Sequence, residues 1–480
     1  MFKVFTQISI VFYLSIPVWG QLEFNNPHML NCPSGSTEAI CASDFDGDGD
    51  LDIIMSRDRK LICFENLDGK GQFSATKTIT SFSQYPKSVY LKDLDNDNDK
   101  DIVVAIYDSH GYENIIWLEN VDGKGTFDTP KSISSTVNHP LSVFSADLDN
   151  DGDNDVLSAI EGDNKIAWYE NIDATGNFSE QKVLCETCEQ AVFVTAADID
   201  DDNDMDIIAA VRHDANIIWF ENTDGKGTFS NKKIISNEHE HIKTMLLKDL
   251  DLDGDLDIIG SSGFIDNISW YENIDGMGQF GDQKPISEFA DSYQTAKRVQ
   301  GICLIDFDGD GDLDVLSSWD IGKEIALYEN LDGKGSFGEK TTILEECEFP
   351  AFCVADFDAD NDNDLFVAAN NRIEWYENLI NLTDIQDNQT NVLNNFQLYQ
   401  NYPNPFNPNT TIKYNLQKPG KVILTIYNLS GEEVETLVNG FKAAGEHEVK
   451  WQPEGFASGI YFVRLETGNK FKTKKLVLQK

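Results

Sequence analysis

A nine-residue pattern, D-x-D-x-D-[G/N]-D-x-D, occurs seven times in this chain, starting at Asp44, Asp93, Asp147, Asp198, Asp249, Asp306 and Asp356. The intervals are 49, 54, 51, 51, 57 and 50 residues. Self-similarity at such a period means an array of like units, each unable to bury its apolar face alone. Within each period the order is constant. An apolar run leads into the Asp loop, and a second follows it, such as Ile53-Ile54, Ile102-Val103 or Ile258-Ile259. Next comes an aromatic stretch ending in Glu-Asn, as in Trp117-Leu118-Glu119-Asn120 or Trp168-Tyr169-Glu170-Asn171, and then Asp-Gly-x-Gly-x-Phe, as in Asp122 to Phe127. Gly, Asn and Asp between apolar runs are hairpin-turn residues. Four short strands in about 51 residues describe a propeller blade.

The chain ends separate a closed ring from an open solenoid. The seventh unit stops at Trp375-Tyr376-Glu377-Asn378 and lacks its Gly-x-Phe strand. The N-terminus supplies that piece, because Phe24 precedes Asp44 by 20 residues, as Phe73 precedes Asp93. The first strand is therefore expected to complete the last blade and close the ring, which hides the edges that a solenoid would have to cap. The fold class expected is all-β: a seven-bladed β-propeller over 21–379, followed by a small β-sandwich domain. The aromatic residues, one per blade in equivalent places, read as inter-blade core. The Glu-Asn pairs read as turn and strand-end hydrogen bonders.

The Asp loops have the spacing of a cation-binding loop. Calcium takes six to eight oxygens, and an EF-hand-type loop offers side chains at positions 1, 3 and 5, a carbonyl at 7 and a carboxylate near the end. The candidate ligands are Asp44, Asp46, Asp48, Asp50 and Asp52 in the first loop and Asp93, Asp95, Asp97, Asp99 and Asp101 in the second. The third and fourth offer Asp147, Asp149, Asp151, Asp153, Asp155 and Asp198, Asp200, Asp202, Asp204, Asp206. The fifth has Asp249, Asp251, Asp253, Asp255 and Asp257, and the sixth Asp306, Asp308, Asp310, Asp312 and Asp314. The seventh has Asp356, Asp358, Asp360, Asp362 and Asp364. Position 6, which carries no ligand, is Gly49, Gly152, Gly254 and Gly311 in four loops and Asn98, Asn203 and Asn361 in three. These residues enter left-handed backbone at low cost, as a loop wrapped around an ion requires. Position 9 is read as the closing carboxylate, and the position 7 side chain is expected to face solvent while its carbonyl binds. Up to seven Ca²⁺ are expected; Mg²⁺ fits less well because it demands octahedral geometry. The net charge of −46, from 83 acidic against 37 basic residues, agrees with cation binding and excludes nucleic acid as a partner.

Residues 1–20 read as a signal peptide: Lys3 precedes an apolar run from Ile8 to Trp19 that is short for a bilayer span. No transmembrane segment is expected in the mature chain. The eight cysteines of an exported chain are candidates for local disulfides or buried thiols, with Cys185 and Cys188 forming a CxxC. Residues 380–395 are Asn-rich and polar, a linker. Beyond them 396–480 carries 11 basic and 7 acidic residues and several strand-like runs, among them Thr411 to Leu416, Val422 to Tyr427 and Ile460 to Leu465. This is the pattern of a β-sandwich.

The repeats resemble the FG-GAP/VCBS class of calcium-binding propeller, the family that includes integrin α-subunits. The resemblance implies structural calcium on one face of the ring. Literal Phe-Gly and Gly-Ala-Pro motifs are absent, so integrin ligand recognition does not carry over. The segment 396–480 resembles the type A sorting domain of the type IX secretion system. The match lies in Tyr402-Pro403-Asn404-Pro405-Phe406-Asn407-Pro408, Ile426-Tyr427-Asn428, Ser458-Gly459-Ile460-Tyr461 and Lys474-Lys475-Leu476-Val477-Leu478. It implies engagement of that secretion machinery and a secreted or bacterial cell-surface location.

Function is expected on the rim opposite the Asp loops, where irregular residues interrupt a regular scaffold. Eight residues before each loop stand Ser36, Tyr85, His139, Gln190, His241, Arg298 and Glu348. His139, His241, Arg298 and, on a neighbouring rim loop, Trp319 are the candidate ligand-binding residues. A zinc site at Glu238 to His241 is the less favoured reading of that segment. No nucleophile–base pair stands out from the repeats, so a binding or adhesion module for glycan or protein is expected. The alternative is a propeller-built polysaccharide-degrading enzyme of lyase type.

Overall fold

The computed structural model describes residues 24–378 apart from 26, 108–114, 213–215, 237–241, 263–266, 288–297, 308–309, 349 and 361, and residues 396–478 with short breaks. The signal peptide, the linker, His241 with the rest of its Glu-His cluster, and Asp308 lie outside the described residues. Among the described residues every strand pairing is antiparallel and the seven repeats form seven four-stranded sheets.

The third blade shows why the sequence folds this way. Pro140–Ala146 is the innermost strand, followed by Asp155–Ile160, Lys165–Tyr169 and Lys182–Cys185. The second strand is buried on both faces, as its mostly apolar run demands for a strand packed between neighbouring blades. The fourth is short and partly exposed, a blunted outer edge. The expected closure is present. His28–Leu30 pairs with Arg372–Tyr376, in register His28 with Trp375 and Leu30 with Ile373, and Phe24 bridges Asn378. The last sheet thus contains strands from both ends of the repeat region.

Blades are joined by two repeated contacts. The first is aromatic. Trp117, Trp168, Trp219, Trp270 and Trp375 press against a turn glycine of the adjacent blade, so that a Cβ added to Gly176 would fall 2.0 Å from Trp117 and one on Gly71 2.2 Å from Trp375. Only glycine fits there, and its φ of +71° to +80° at these turns is also a glycine conformation. The outer face of four of these indoles is covered by Lys131, Lys182, Lys233 and Lys284, whose ammonium groups lie 4.4, 4.1, 4.0 and 4.1 Å from the ring centroids. Each lysine also pairs with the Glu of the Glu-Asn motif in its own blade.

The second contact is an amide latch. The Asn of each Glu-Asn motif donates from Nδ2 to a carbonyl in the Asp loop of the preceding blade: Asn120 to Phe45, Asn171 to Leu94, Asn222 to Leu148, Asn273 to Ile199 and Asn330 to Leu250, at 2.7–3.2 Å. At the seam Asn66 donates to Phe357 at 2.8 Å, across 291 residues. All of these asparagines are fully buried.

Of the cysteines, Cys185 and Cys188 are disulfide-bonded and the other six are free thiols, so Cys32 is not joined to Cys41 nor Cys347 to Cys353. The C-terminal unit is a two-sheet β structure. Phe396–Leu398, Thr410–Leu416 and Gly445–Trp451 form one sheet; Glu433–Lys442, Gly420–Tyr427, Gly459–Thr467 and Lys470–Leu478 form the other. A core around Ile412, Tyr414, Leu424, Trp451 and Val463 lies between them. Phe396–Leu398 and Glu433–Lys442 went unanticipated; the latter alternates apolar and polar residues only over part of its length.

Candidate functional site

Each Asp loop joins the innermost strand of a blade to the second strand, and its conformation repeats. Position 6 is left-handed where expected, with φ of +98° at Gly49, +96° at Gly152, +72° at Asn98 and +70° at Asn203. Its N–H donates to the position 1 carboxylate, as Gly152 does to Asp147 at 3.0 Å and Asn98 to Asp93 at 2.9 Å. Position 4 is left-handed as well, including Leu252 at +62° and Ala359 at +61°. The loop closure forces these side chains into backbone that they disfavour, at about 1 kcal/mol or more each.

The carboxylates divide by role. In the first five loops three of them, drawn from positions 1, 3, 5 and 9, bring an oxygen each to within 4.8 Å of one another: Asp44, Asp46 and Asp48 in the first, for example, and Asp147, Asp149 and Asp155 in the third. One oxygen each of the position 3 residues Asp95, Asp149, Asp200, Asp251 and Asp358 is buried and accepts no hydrogen bond, and neither does one oxygen of Asp93. A buried carboxylate oxygen without a donor is costly. A divalent cation at the centre of each loop supplies the missing partner, so the donor set fits a hard metal ion. Burial, with repulsion from neighbouring carboxylates, raises Asp95, Asp149 and Asp358 to about 6.

Position 9 anchors the loop. Asp155 is fully buried and accepts from the backbone N–H of Leu148 at 2.9 Å and of Asn171 at 2.8 Å. The same pair of bonds holds Asp101, Asp257 and Asp364. Burial outweighs these bonds and lifts Asp52, Asp101, Asp206, Asp257 and Asp364 to about 7 and Asp155 to about 8. Two bonds leave lone pairs on each carboxylate for a cation.

Position 7 corrects an expectation. Its side chain is half-exposed or buried rather than free in solvent, and it packs over the hairpin turn of its own blade. A Cβ on Gly69, Gly123, Gly225 or Gly276 would fall 2.3–2.5 Å from Asp50, Asp99, Asp204 or Asp255. Asn96 and Asn150 reach from the preceding blade to Asp153 and Asp204, each at 2.8 Å. These carboxylates therefore couple loop to turn and blade to blade. The first Asp of each hairpin turn is a turn former: Asp122 accepts from the N–H of Lys124 and of Thr126.

At the other end of the innermost strands lies a cavity of about 1190 Å³ lined by residues of all seven blades. Its wall includes Glu38, Lys87, Leu141, Val192, Lys243, Gln300 and Pro350, which occupy one equivalent position, six residues before each Asp loop. Arg57, Tyr107, Glu161 and Arg212 reach it from the second strands. Lys87 pairs with Glu38 at 2.8 Å and Arg212 with Glu161 at 3.4 Å.

Of the residues selected from the sequence, the described ones, His139, Arg298 and Trp319, do not line this cavity. His139 stacks behind Tyr107, with ring centroids 4.1 Å apart, and its backbone is left-handed at +50°. Arg298 is exposed, left-handed at +59°, and its carbonyl accepts from Asp320. Trp319 is not a rim platform: it is 3% exposed in the inter-blade core, and its indole N–H donates to Ser317 at 2.8 Å. It stands on the second strand, whose alternation turns it inward. The row eight residues before each loop therefore contains turn residues. The row two residues later lines the channel, where the register of each innermost strand shifts around Lys87, Lys243 and Gln300, an irregularity that period-2 counting from the loop does not reveal.

The FG-GAP-like repeat family model matches residues 44–104, 93–158, 147–209, 198–260, 249–317 and 306–367, each match running from one Asp loop through the next. The secretion system C-terminal sorting domain matches residues 400–479. No curated protein matches the chain. Among solved structures, one similar to this chain is a lectin of Agrocybe aegerita that recognises non-reducing terminal N-acetylglucosamine, at 20% identity, 70% coverage of this chain, 85% of that one and a TM-score of 0.49. Others are a V. cholerae biofilm matrix protein, at 11% identity, 71% and 77% coverage and a TM-score of 0.41, and a rhamnogalacturonan lyase, at 13%, 73%, 75% and 0.43. Among the described residues no helix is long and apolar enough to cross a membrane. The sorting domain marks a secreted or cell-surface protein that engages the type IX secretion system. With repeat matches spanning most of its length and a sorting domain after them, the chain belongs to the FG-GAP-like repeat family as an exported β-propeller.

Proposed function

We propose that this protein is a calcium-clasped binding module that presents the mouth of its central channel to a glycan or protein ligand outside the cell. The observation that carries the reading is the cavity of about 1190 Å³, to which every blade contributes non-repeating residues on a regular scaffold. Calcium belongs to the opposite end. Carboxylates at positions 1, 3, 5 and 9 would hold one ion per loop, with the position 7 carbonyl. The ion would neutralise the clustered charge and hold the loops that carry the latch carbonyls. On this reading calcium is scaffold, and recognition is the work of the channel mouth. A polysaccharide-degrading enzyme on the same scaffold needs a free acid–base pair. The carboxylates at the cavity wall are engaged instead: Glu38 with Lys87, Glu161 with Arg212 and Glu348 with Lys323.

The test is binding of the full chain, in millimolar calcium, to a glycan and surface-protein panel, with product formation assayed for each hit. Thr244→Trp, placed on the cavity wall, is expected to abolish binding while leaving the melting temperature near that of the parent. Retained binding in this variant overturns the channel site, and product formation from a hit overturns the non-enzymatic reading.

A further inference from the structure

The cavity wall carries an electrostatic anomaly. The chain has 83 acidic residues against 37 basic. Yet two cations at the channel mouth, Lys243 and Arg57, have no carboxylate within ion-pair distance among the described residues. Lys243 bonds the side-chain oxygen of Gln300. Arg57, 3% exposed, donates to the Pro33 carbonyl and the Thr37 hydroxyl at 3.0 Å each, and its Nη2 is buried without a partner. Arg57 is buried and Lys243 half-buried, and a cation withdrawn from water is normally paired, because leaving it unpaired forfeits hydration without return.

We propose that the channel mouth selects an acidic oligosaccharide, with Lys243 anchoring a sugar-ring carboxylate and Arg57 adding to the cationic wall. The proposal rests on the binding-module reading and gives it a ligand class. Three features favour a sugar over an acidic protein. The site is a concave cavity larger than the roughly 300–1,000 Å³ of small-molecule sites, which suits several units of a chain rather than a flat protein patch. Thr244 and Ser88 at the wall offer hydroxyl groups that match ring hydroxyls. Tyr107 and Phe193 offer apolar faces for the C–H side of a sugar ring. Burial lowers Lys243 to about 8, against the pull of Glu38 and Asp320 and with the push of Arg212 and Lys87. A bound carboxylate would restore its charge, so binding near pH 8 should take up protons.

The experiment uses the full chain and three probes: an oligouronate, the same oligomer with its carboxylates reduced to alcohols, and a sulfated oligosaccharide. Calorimetry in millimolar calcium is expected to show the oligouronate binding at least about tenfold tighter than its reduced form, the scale of one hydrogen bond to a charged group. Lys243→Met should erase that difference with an unchanged far-UV spectrum and melt, and Lys243→Arg should keep most of it. Equal binding of uronate and reduced oligomer overturns the inference but leaves the binding module standing; silence from every glycan and protein tested sinks both. Preference for the sulfated probe overturns the carboxylate assignment. Uronate binding that survives Lys243→Met also overturns it.

Discussion

Removing one amide latch should loosen the ring by an amount that the structure allows to be worked out. Asn66→Ala deletes the bond to the Phe357 carbonyl at the seam and a longer one to Leu51 at 3.4 Å. It leaves a buried carbonyl without its side-chain donor, about 1–3 kcal/mol. Asn66 Oδ1 accepts nothing, so its removal costs no acceptor bond. Asn120 differs, because its Oδ1 also accepts from the Gly125 N–H at 3.2 Å. Asn120→Ala should therefore cost about 1 kcal/mol more than Asn66→Ala. A domain of this size unfolds with an entropy near 0.75 kcal/mol/K, so the expected falls in Tm are about 1–4 °C for Asn66→Ala and about 3–5 °C for Asn120→Ala. Differential scanning calorimetry in calcium resolves both. The two latches share no partner, so their effects should add within about 0.5 kcal/mol. Shifts under about 1 °C for both variants would refute the view that the latches hold the blades together.

Chelation should lower the Tm steeply: at ten times a Kd of about 10⁻⁴–10⁻³ M each site contributes roughly 1.4 kcal/mol, near 10 kcal/mol for seven independent sites. An unchanged melt in chelator would remove calcium from the account. The calcium effect should also grow with pH. Position 9 carboxylates are raised to about 7 or 8 in the metal-free fold, so their favourable contribution there is full below the unfolded value near 4 and is lost as pH rises through about 7–8. Calcium needs the ionised form, so its binding strengthens over the same range; a Tm difference between calcium and chelator that is flat from about pH 5 to 8 would contradict this. Gly176→Ala sets a Cβ 2.0 Å from the Trp117 ring at a φ of +72°, and the combined overpacking and backbone strain should cost about 2–4 kcal/mol by denaturant melt. The penalty should shrink in a Trp117→Phe background, which opens space at that contact.

Much of the architecture was legible because each blade is coded locally. The Asp loops, the left-handed position 6, the hairpin turns and the Glu-Asn strand ends are all set by residues a few positions apart, and the register of Phe24 with Asp44 announced the closure. The site was less legible. His139 and Arg298 stood out by residue type, but their left-handed backbone places them on turns, and Trp319 was absorbed by the core. Lys243 and Gln300 were passed over because a lysine and a glutamine in a strand look ordinary; only the convergence of seven strands makes their position a wall. The position 7 carboxylates were assigned to solvent because nothing within the loop shows the glycine turn that folds over them.

By itself the sequence determined the unit, the number of units and the fact that the ends must meet, since a turn or a strand is decided by neighbours along the chain. The tertiary structure alone decided what passes between units. The Asn171 amide finds its carbonyl 77 residues away and Asn120 finds its own 75 away, each one blade back. Such partners are chosen by the curvature of the closed ring, which no single repeat encodes. The same curvature brings Lys87, Lys243 and Gln300 from separate blades to one channel mouth, a juxtaposition that none has in its own strand.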